Sequence, residues 1–411
     1  MMNCKGNVIL FSKEFPPNIV GGTALVARTA AYGLRDLKYH VTVVTTSSNG
    51  ENYIETVNEI TFIYIGNDAT YHKSSGLDNT NIRYHKKVID ILKAANIPSP
   101  KCVLLPDLFS FPEAYLFSKY YKIPIINILL QDFRKIIPYD KGLTHKVMLG
   151  ANGTVDDLLR IEEKVIAVSD ANVFISNSLL DSIVSYYNPK LERCHMVYLG
   201  IDKDEIDKAY YSDTTELRES ICPSNRKLIM SIGRHVPVKG FDKLIQAFSI
   251  IHRQSPETFL CILGKGPEDE YLNEMICELN LQNSVRLIYE PDRERVLNIM
   301  NSCDIAVVPS LWESFCYVAA EFMGLGKPLV VCGVDSLNEL VVDNETGLIC
   351  PITEIGDKRI VDEKMLAKCI KILCENSMLS DLLGDAARER ALELFNQEKF
   401  AYGISRIIES L

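Results

Sequence analysis

The sequence has few of the features that mark secreted, metal-binding or disulfide-stabilised proteins. Its 12 cysteines are scattered singly, with no Cys-x-x-Cys pair and no Cys/His cluster at the spacing of zinc ligands. A secreted protein of this size would risk mispairing so many thiols. We therefore expect reduced thiols, no metal site and a cytoplasmic location.

Long apolar segments and an excess of positive charge are also missing. The apolar run at residues 7–12 lacks the length and cleavage site of a signal peptide, and no run approaches the ~18 residues that span a bilayer. The 44 Lys and Arg are outnumbered by 54 Asp and Glu, which gives a net charge of −10 at pH 7. Because such a chain repels polyanions, we expect no nucleic-acid partner.

The chain has 411 residues, roughly two to three times the usual domain length of about 150. Short runs rich in Val and Ile alternate with segments of helical period, a pattern typical of βαβ units and a parallel sheet. A second such series starts at Arg226, after a polar interval at 202–225 that we interpret as a linker. The pattern predicts an α/β protein with Rossmann-like domains at 1–203 and 204–394. Residues 395–411 are expected to form a helix that returns to the first domain.

Two glycines, Gly21 and Gly22, lie between the first predicted strand and the first predicted helix. Glycine lets the backbone approach a ligand, and the helix N-terminus beyond it offers free N–H groups to an anion. The full Gly-x-Gly-x-x-Gly dinucleotide motif is absent, so a tight turn without a ligand explains the pair equally well.

A pair of cations opens the second series. Arg234 and Lys239 flank a strand-to-helix loop at the carboxyl end of a strand, where an Arg fork and a Lys point charge are placed to hold a diphosphate. Two solvated surface cations are the alternative interpretation.

Two glutamates, Glu313 and Glu321, are separated by seven intervening residues around a predicted helix start. At about 1.5 Å of helical rise per residue they lie on the order of 10 Å apart, too far for an acid/base pair on one bond. They suit the two ends of an elongated polyhydroxylated ligand, with the N–H groups of Phe315, Cys316 and Tyr317 facing negative charge between them. Helix capping and surface exposure are the ordinary alternatives for either acid.

Taken together, these motifs resemble the retaining glycosyltransferases of family 4. The resemblance covers nearly the whole chain and is strongest over 226–351. Its motifs, in order, are Pro16-Pro17, Gly21-Gly22, Gly233-Arg234, Lys239-Gly240, Gly264 with Gly266, Pro309-Ser310, Glu313-Ser314-Phe315, Glu321, Gly324, Glu339 and Thr346-Gly347. The resemblance implies the GT-B fold, in which two Rossmann-like domains with parallel sheets face an interdomain cleft and the C-terminal helix packs back on the first domain.

The resemblance also implies roles for individual residues. Arg234 and Lys239 match the pair that binds the donor diphosphate and stabilises the leaving group, while Glu313 matches the acid on the transferred sugar. Glu321 matches the acid that holds the nucleotide ribose. The remaining donor-binding positions that it implies are Gly22, Gly264 and the backbone N–H groups of Phe315, Cys316, Tyr317 and Val318.

The chain departs from the family pattern at several positions. Cys316 stands where the family commonly has Gly, and Gln131 stands near the usual acceptor-side His. Leu199 replaces the usual Asn before Gly-Ile-Asp, and the segment 289–291 lacks an expected Gly. These last changes affect the hinge and the base-binding surface, so the base and the sugar of the donor are left open.

The resulting hypothesis is a metal-independent, retaining transfer of a sugar from a nucleoside diphosphate sugar, such as a UDP- or GDP-sugar, to a hydroxyl acceptor. No cofactor is expected beyond this substrate. The acceptor is expected to be a soluble small molecule or glycan, bound against Gly21, Asp107, Gln131 and Asp132. A lipid-linked acceptor is an alternative, but the cations at 134–141 are interrupted by Pro138 and Asp140, so membrane association is disfavoured. A sugar-nucleotide binding protein or an epimerase without transfer is the other alternative.

Overall fold

The computed structural model describes residues 4–16, 22–66, 89–95, 98–139, 154–223, 225–356 and 358–411. Gly21 lies outside these ranges, as does part of the segment 82–95, whose pattern predicts a helix. The chain forms two compact units. The first contains the described residues up to Ile137, those from 154 to Gly200, and the C-terminal segment Gln397–Leu411. The second contains Ile201–Asn396, together with Pro138 and Tyr139.

The described residues of the first unit form an eight-stranded sheet with the order β3-β4-β2-β1-β5-β6-β7-β8. All neighbouring strands are parallel except β3, which is antiparallel to β4. The central strand is fully buried at Val8, Ile9 and Leu10, because helices cover both faces of a parallel sheet. The strands are β1 (Gly6–Phe11), β2 (Tyr39–Ser47), β3 (Tyr53–Val57), β4 (Ile60–Gly66), β5 (Pro100–Leu105), β6 (Ile125–Leu129), β7 (Ala171–Phe174) and β8 (Cys194–Met196).

The helices of the first unit are capped by the side chains that precede them. Thr154 forms a capping box with Asp157, and Ser176 accepts from the Leu179 amide. The helices are α1 (Gly22–Asp36), α2 (Phe111–Tyr121), α3 (Phe133–Ile136), α4 (Val155–Val168) and α5 (Asn177–Tyr187), followed at the end of the chain by α15 (Gln397–Ser410).

The last helix, α15, packs within the first unit against α1. The Tyr39 hydroxyl lies 2.9 Å from the Ser405 hydroxyl, and Lys5 pairs with Glu409 at 3.0 Å. Phe400, Ile404 and the rest of its apolar side are buried. The end of the chain therefore completes the core of the unit in which the chain begins.

The second unit contains a parallel sheet with the order β11-β10-β9-β12-β13-β14 among its described residues. Its strands are β9 (Lys227–Ile232), β10 (Thr258–Leu263), β11 (Val285–Ile288), β12 (Ile305–Val308), β13 (Leu329–Cys332) and β14 (Leu348–Cys350). Its helices are α6 (Lys203–Tyr210), α7 (Thr215–Ile221), α8 (Phe241–Gln254), α9 (Asp269–Glu278), α10 (Arg293–Asn301), α11 (Tyr317–Gly324), α12 (Leu337–Leu340), α13 (Glu363–Glu375) and α14 (Ser377–Leu394).

Two local expectations were wrong. The interval 202–225 is not an extended linker, because α6 and α7 occupy most of it and Asp202 caps α6 by accepting from the amides of Asp204 and Glu205. The polar segment 47–81, whose lack of helical period predicts a loop-rich region, contains β3, whose five residues are all exposed and therefore give no apolar pattern. The sequence analysis also missed an antiparallel hairpin, β15 (Ile352–Ile355) and β16 (Lys358–Val361).

The α/β class and the two parallel sheets are confirmed. Because all strands of the second sheet run in one direction, the loops after β9, β10 and β12 meet at its carboxyl edge, where open α/β sheets bind ligands. No helix within the described ranges has the combined length and apolar character needed to cross a bilayer.

Candidate active site

The loop after β9 brings Lys239 against the loop after β12. A short turn over Pro237–Lys239 ends at Gly240, which has a φ of 66°. A Cβ atom at Gly240 would stand 2.2 Å from the Pro309 carbonyl oxygen, so only glycine allows the two loops this approach. The glycine therefore determines where the preceding lysine lies.

Lys239 and Glu313 form an ion pair in the second unit. The Lys239 Nζ donates to Glu313 Oε1 at 2.6 Å, and the Ser310 hydroxyl donates to the same oxygen at 2.7 Å. The two charged side chains are 25% and 10% exposed. Burial acts to lower the pKa of Lys239, but the adjacent carboxylate outweighs it and holds the pKa above its usual value. Lys239 is therefore a fixed, permanent cation.

Arg234 lies on the same loop as Lys239 and is exposed. Its positive charge acts to lower the pKa of Lys239, which places the two cations within electrostatic range of each other. The arrangement concentrates positive charge at the carboxyl edge of the second sheet. A diphosphate is the kind of group that such a pair can hold.

The backbone after Glu313 turns sharply into α11. Cys316, the N-cap residue, has a φ of 74° and a ψ of 79°, the left-handed conformation that glycine adopts without strain. This explains why a glycine is expected at this position. A cysteine in the same conformation strains the backbone. Burial, reinforced by the Glu313 carboxylate, raises the pKa of the Cys316 thiol well above its usual value, so the thiol is protonated. Phe315 anchors the turn by packing edge-on against Phe395 at 5.7 Å.

Glu321 lies one turn inside α11 and is almost completely buried. Its Oε1 accepts from Arg293 Nη2 at 2.5 Å, and Arg293 Nε reaches Glu205 at 3.4 Å. The sequence analysis missed Arg293. A usable signal was available, since Arg293 is the first residue of α10 and the helix dipole disfavours a cation there unless a carboxylate faces it.

The hairpin residue Arg359 holds two site loops together. Its guanidinium forms a bidentate pair with Asp335, with Nη2 to Oδ1 at 2.8 Å, and donates to the Leu311 carbonyl oxygen at 3.1 Å. Next to Asp335, the buried Ser336 hydroxyl donates to the Glu313 carbonyl oxygen at 3.0 Å. The hairpin thus fixes both the loop that carries Glu313 and the loop after β13.

Gly264 follows β10 and packs against the loop after β9. A Cβ atom there would stand 2.0 Å from the Gly233 carbonyl oxygen, and the Gly264 φ is 145°. The Gly264 amide donates to the Ile288 carbonyl oxygen at 2.8 Å. Loop packing alone therefore requires glycine at this position.

A pocket in the first unit contains two of the predicted acceptor residues, Asp107 and Gln131. It lies at the carboxyl ends of β1, β5 and β6. Gly22, Asp132 and Gly21 are not among its described lining residues, and Gly21 lies outside the described ranges. The lining consists of Glu14, Thr23, Pro106, Asp107, Leu108, Phe109, Asn127, Ile128, Leu129, Leu130, Gln131, Phe133, Glu162 and Ile166.

The carboxylates of Asp107 and Asp132 are occupied by bonds to their own surroundings. Asp107 accepts from the amides of Phe109 and Lys13 and from the Ser110 hydroxyl, at 2.8–2.9 Å. Asp132 is fully buried and accepts from the Arg134 amide at 3.0 Å and the Ser182 hydroxyl at 2.7 Å. The geometry favours a positioning role for Asp132, whereas the half-buried Gln131 side chain is placed to meet a ligand.

Glu162 is a buried carboxyl group on the pocket wall that was not predicted as a site residue from the sequence. Its burial could have been predicted from the sequence, because it lies on the apolar stripe of α4. The other buried residues of this stripe are Leu158, Val165 and Ile166. The Tyr187 hydroxyl donates to Glu162 Oε2 at 2.6 Å, and the Phe133 amide donates to Oε1 at 3.3 Å. Burial nevertheless raises the pKa of Glu162 to about 7.

Burial of Glu162 predicts a specific pH dependence of stability. Since its folded pKa is about 7 and its ordinary value is 4.5, the carboxyl is protonated in both states at low pH. Between these values only the unfolded state loses its proton, so the free energy of unfolding falls as pH rises, by about 3 kcal/mol in all. Urea titrations of the wild type and Glu162→Gln from below pH 4.5 to above pH 7 should show this fall in the wild type only. Glu163→Gln, an exposed neighbour, should follow the wild type, and parallel curves for all three proteins would contradict the assignment.

Within the ranges that the structure describes, no group of three or more His, Cys, Asp and Glu side chains is arranged to hold a metal ion.

Comparison with known proteins finds similarity to glycosyltransferases. Residues 213–390 match the family model described as glycosyl transferases group 1. An uncharacterized glycosyltransferase of Methanocaldococcus jannaschii is 24% identical over 83% of this chain and 84% of its own length. A D-inositol 3-phosphate glycosyltransferase of Xylanimonas cellulosilytica is 33% identical, over 46% of either chain.

Similarity in three dimensions extends over both units. The Anabaena protein HepE, whose structure was solved in complex with UDP-glucose, superposes with a TM-score of 0.74 at 18% identity. The match covers 98% of this chain and all of HepE. Residues 213–390 therefore form a group 1 glycosyltransferase domain, and the chain is a glycosyltransferase with the GT-B fold.

Proposed function

We propose that the protein transfers a sugar, with retention of anomeric configuration, from a nucleoside diphosphate sugar to a hydroxyl group of a soluble small molecule or glycan. The observation that carries the proposal is the cluster of Arg234, Lys239 and Glu313 at the carboxyl edge of the second sheet. UDP-glucose in the HepE structure supports a nucleotide sugar as donor. The name of the Xylanimonas relative specifies an inositol phosphate for that protein, which supports a small hydroxyl-bearing acceptor here.

The chemistry follows from where the charges lie. As the bond between the anomeric carbon and the diphosphate breaks, negative charge grows on the leaving group, and Arg234, Lys239 and the N-terminus of α11 stabilise it. The acceptor oxygen forms its bond to the anomeric carbon on the same face, and its proton passes to the departing diphosphate. Glu313 orients hydroxyl groups of the transferred sugar, and Glu321, fixed by Arg293, binds the ribose.

Because the cations serve the leaving group, we propose that no metal ion is required. The test is release of nucleoside diphosphate from UDP-, GDP- and ADP-sugars, with and without excess EDTA. We expect one base class to be turned over, at an EDTA-independent rate, and its nucleoside diphosphate at 100 times Kd to stabilise the protein by ~2.7 kcal/mol. Sugar interconversion without release would identify an epimerase, and loss with EDTA rescued by Mn²⁺ would overturn metal independence.

A further inference from the structure

The first-unit pocket lies at the topological switch point of its sheet. From the central strand β1 the chain builds outward through β2 on one side and through β5 on the other. Glu14 and Thr23 follow β1, and Asp107 with Phe109 follow β5, so the pocket opens at the crevice between them. Ligands of open α/β sheets bind at this crevice. The residues that line the pocket therefore indicate which kind of ligand it binds.

The ionisable side chains among the described lining residues of this pocket are all acidic. Three carboxyl groups contribute to the lining, from Glu14, Asp107 and Glu162, together with the amides of Asn127 and Gln131. Among the described lining residues there is no Lys, Arg or His. The pocket therefore offers hydrogen-bond acceptors and amides to a ligand, but no described cation to an anion.

The two cations nearest in sequence to these residues interact with other groups of the first unit. Arg134 stacks between the rings of Tyr186 and Tyr187, with its guanidinium carbon 3.6 and 3.9 Å from their centroids, and faces Asp132 at 3.5 Å. The charge of Lys13 acts on the buried carboxyl of Glu113, and its Nζ lies 6.0 Å from the Phe109 ring centroid. Neither is among the residues that line the pocket.

We propose that this pocket receives a hydroxyl-bearing acceptor without negative charge, and that it binds an amine-bearing polyol better than a neutral one. This inference rests on the proposed function, since it names the acceptor class of that reaction. Phosphate or carboxylate groups on the acceptor would meet like charge at short range, in a setting where water screens poorly. Hydroxyl and ammonium groups would instead donate to the carboxylates, while Phe109 and Phe133 cover the apolar face of a ring.

The proposal is tested with three acceptors that share one sugar ring but differ in charge, compared near pH 7. They are glucosamine, which is cationic, glucose, which is neutral, and glucose 6-phosphate, which is anionic. Product is followed by mass spectrometry, and kcat/KM by release of nucleoside diphosphate. We expect glucosamine to be used at least as well as glucose, and glucose 6-phosphate at least tenfold less well. The proposal would be overturned if glucose 6-phosphate were preferred or if all three compounds were used equally. It would also be overturned if none of them changed the rate of nucleoside diphosphate release. Donor hydrolysis without acceptor reports on the proposed function separately.

Variants that remove an acidic side chain from the pocket provide a second test of the proposal. In Glu14→Gln, discrimination against glucose 6-phosphate should shrink several-fold, because one like charge is gone. In Glu162→Gln it should shrink less, because burial raises the pKa of Glu162 to about 7 and leaves its carboxyl partly protonated at the pH of the assay. The matched control is Glu163→Gln, whose side chain is exposed on the same helix and should leave the ratio unchanged. Thermal melts identify any variant that fails to fold, and the wild-type comparison stands without them. An unchanged ratio in both folded variants would count against the proposal.

Discussion

Replacement of Lys239 by alanine is expected to lower the rate of sugar transfer by about 30- to 1000-fold, with Arg234→Ala in the same range. Each cation is needed most when charge develops on the leaving diphosphate, and such a contact contributes roughly 2–4 kcal/mol to the transition state. Lys239 is held for this task by Glu313 at 2.6 Å, so little reorganisation precedes the chemical step. The measurement is single-turnover release of nucleoside diphosphate at saturating donor.

A matched control separates catalysis from folding. Lys243, four residues further along the chain, donates to Gln246 at 2.9 Å, and Lys243→Ala should keep wild-type rates. Arg234→Ala should melt close to the wild type, because its side chain is exposed. Lys239→Ala leaves the buried Glu313 without its cation, so Lys239→Arg, which retains the charge, provides the conservative comparison. Near-normal turnover in folded Lys239→Ala or Arg234→Ala would remove the basis of the site assignment.

Arg359→Ala is expected to reduce both stability and turnover. Asp335, whose side chain is 16% exposed, would lose its bidentate partner, and an uncompensated buried charge costs about 3–5 kcal/mol. The Leu311 carbonyl would lose its donor as well, so the loop that carries Glu313 would shift. Misplacement of a catalytic group by about 1 Å can cost on the order of 100-fold in rate. Urea titration and steady-state kinetics measure the two losses.

A double variant distinguishes positioning from mere stabilisation. Arg359→Ala combined with Asp335→Ala removes the unpaired charge, so stability should recover in large part while kcat stays low. Arg359→Lys, which keeps one donor, should be intermediate in kcat. Lys208→Ala, which breaks an exposed pair with Glu294, should change neither quantity. Full recovery of kcat in the double variant would show that Arg359 acts on stability alone.

Most of the fold was predictable because buried parallel strands leave a continuous apolar run. β1 and β9 show it, and the helix α8 that follows β9 shows a clear apolar stripe. The errors occur where burial is slight. β3 is wholly exposed, and α6 buries only Ile206 and Ala209, so neither gives a pattern that composition can reveal. Their positions depend on neighbours that are distant in sequence.

Some residues of the candidate site were also predictable from the sequence, and others were not. The family resemblance implied that Lys239 and Glu313 bind the same donor, and the structure brings them into contact across 74 residues of sequence. Arg359 was not predicted, because it lies on the hairpin β15–β16, which was itself missed, and its partner Asp335 lies on a separate loop. Asp132 was assigned to an acceptor from its position after a strand, but its side chain caps the short helix that follows. Spacing predicts which elements meet, whereas side-chain partners follow from packing.

The placement of α15 in the first unit has a consequence for biosynthesis. Ribosomes produce the chain from its N-terminus at about 5–20 residues per second, so the roughly 200 residues of the second unit, Ile201–Asn396, delay α15 by about 10 to 40 s after the rest of the first unit has been made. During this time the surface of α1 that α15 covers, with the Tyr39 hydroxyl, is open to solvent and to chaperones. The unit that begins first is therefore the last to become complete, and nascent chains stalled within α14 would carry an unfinished first unit beside a nearly whole second one.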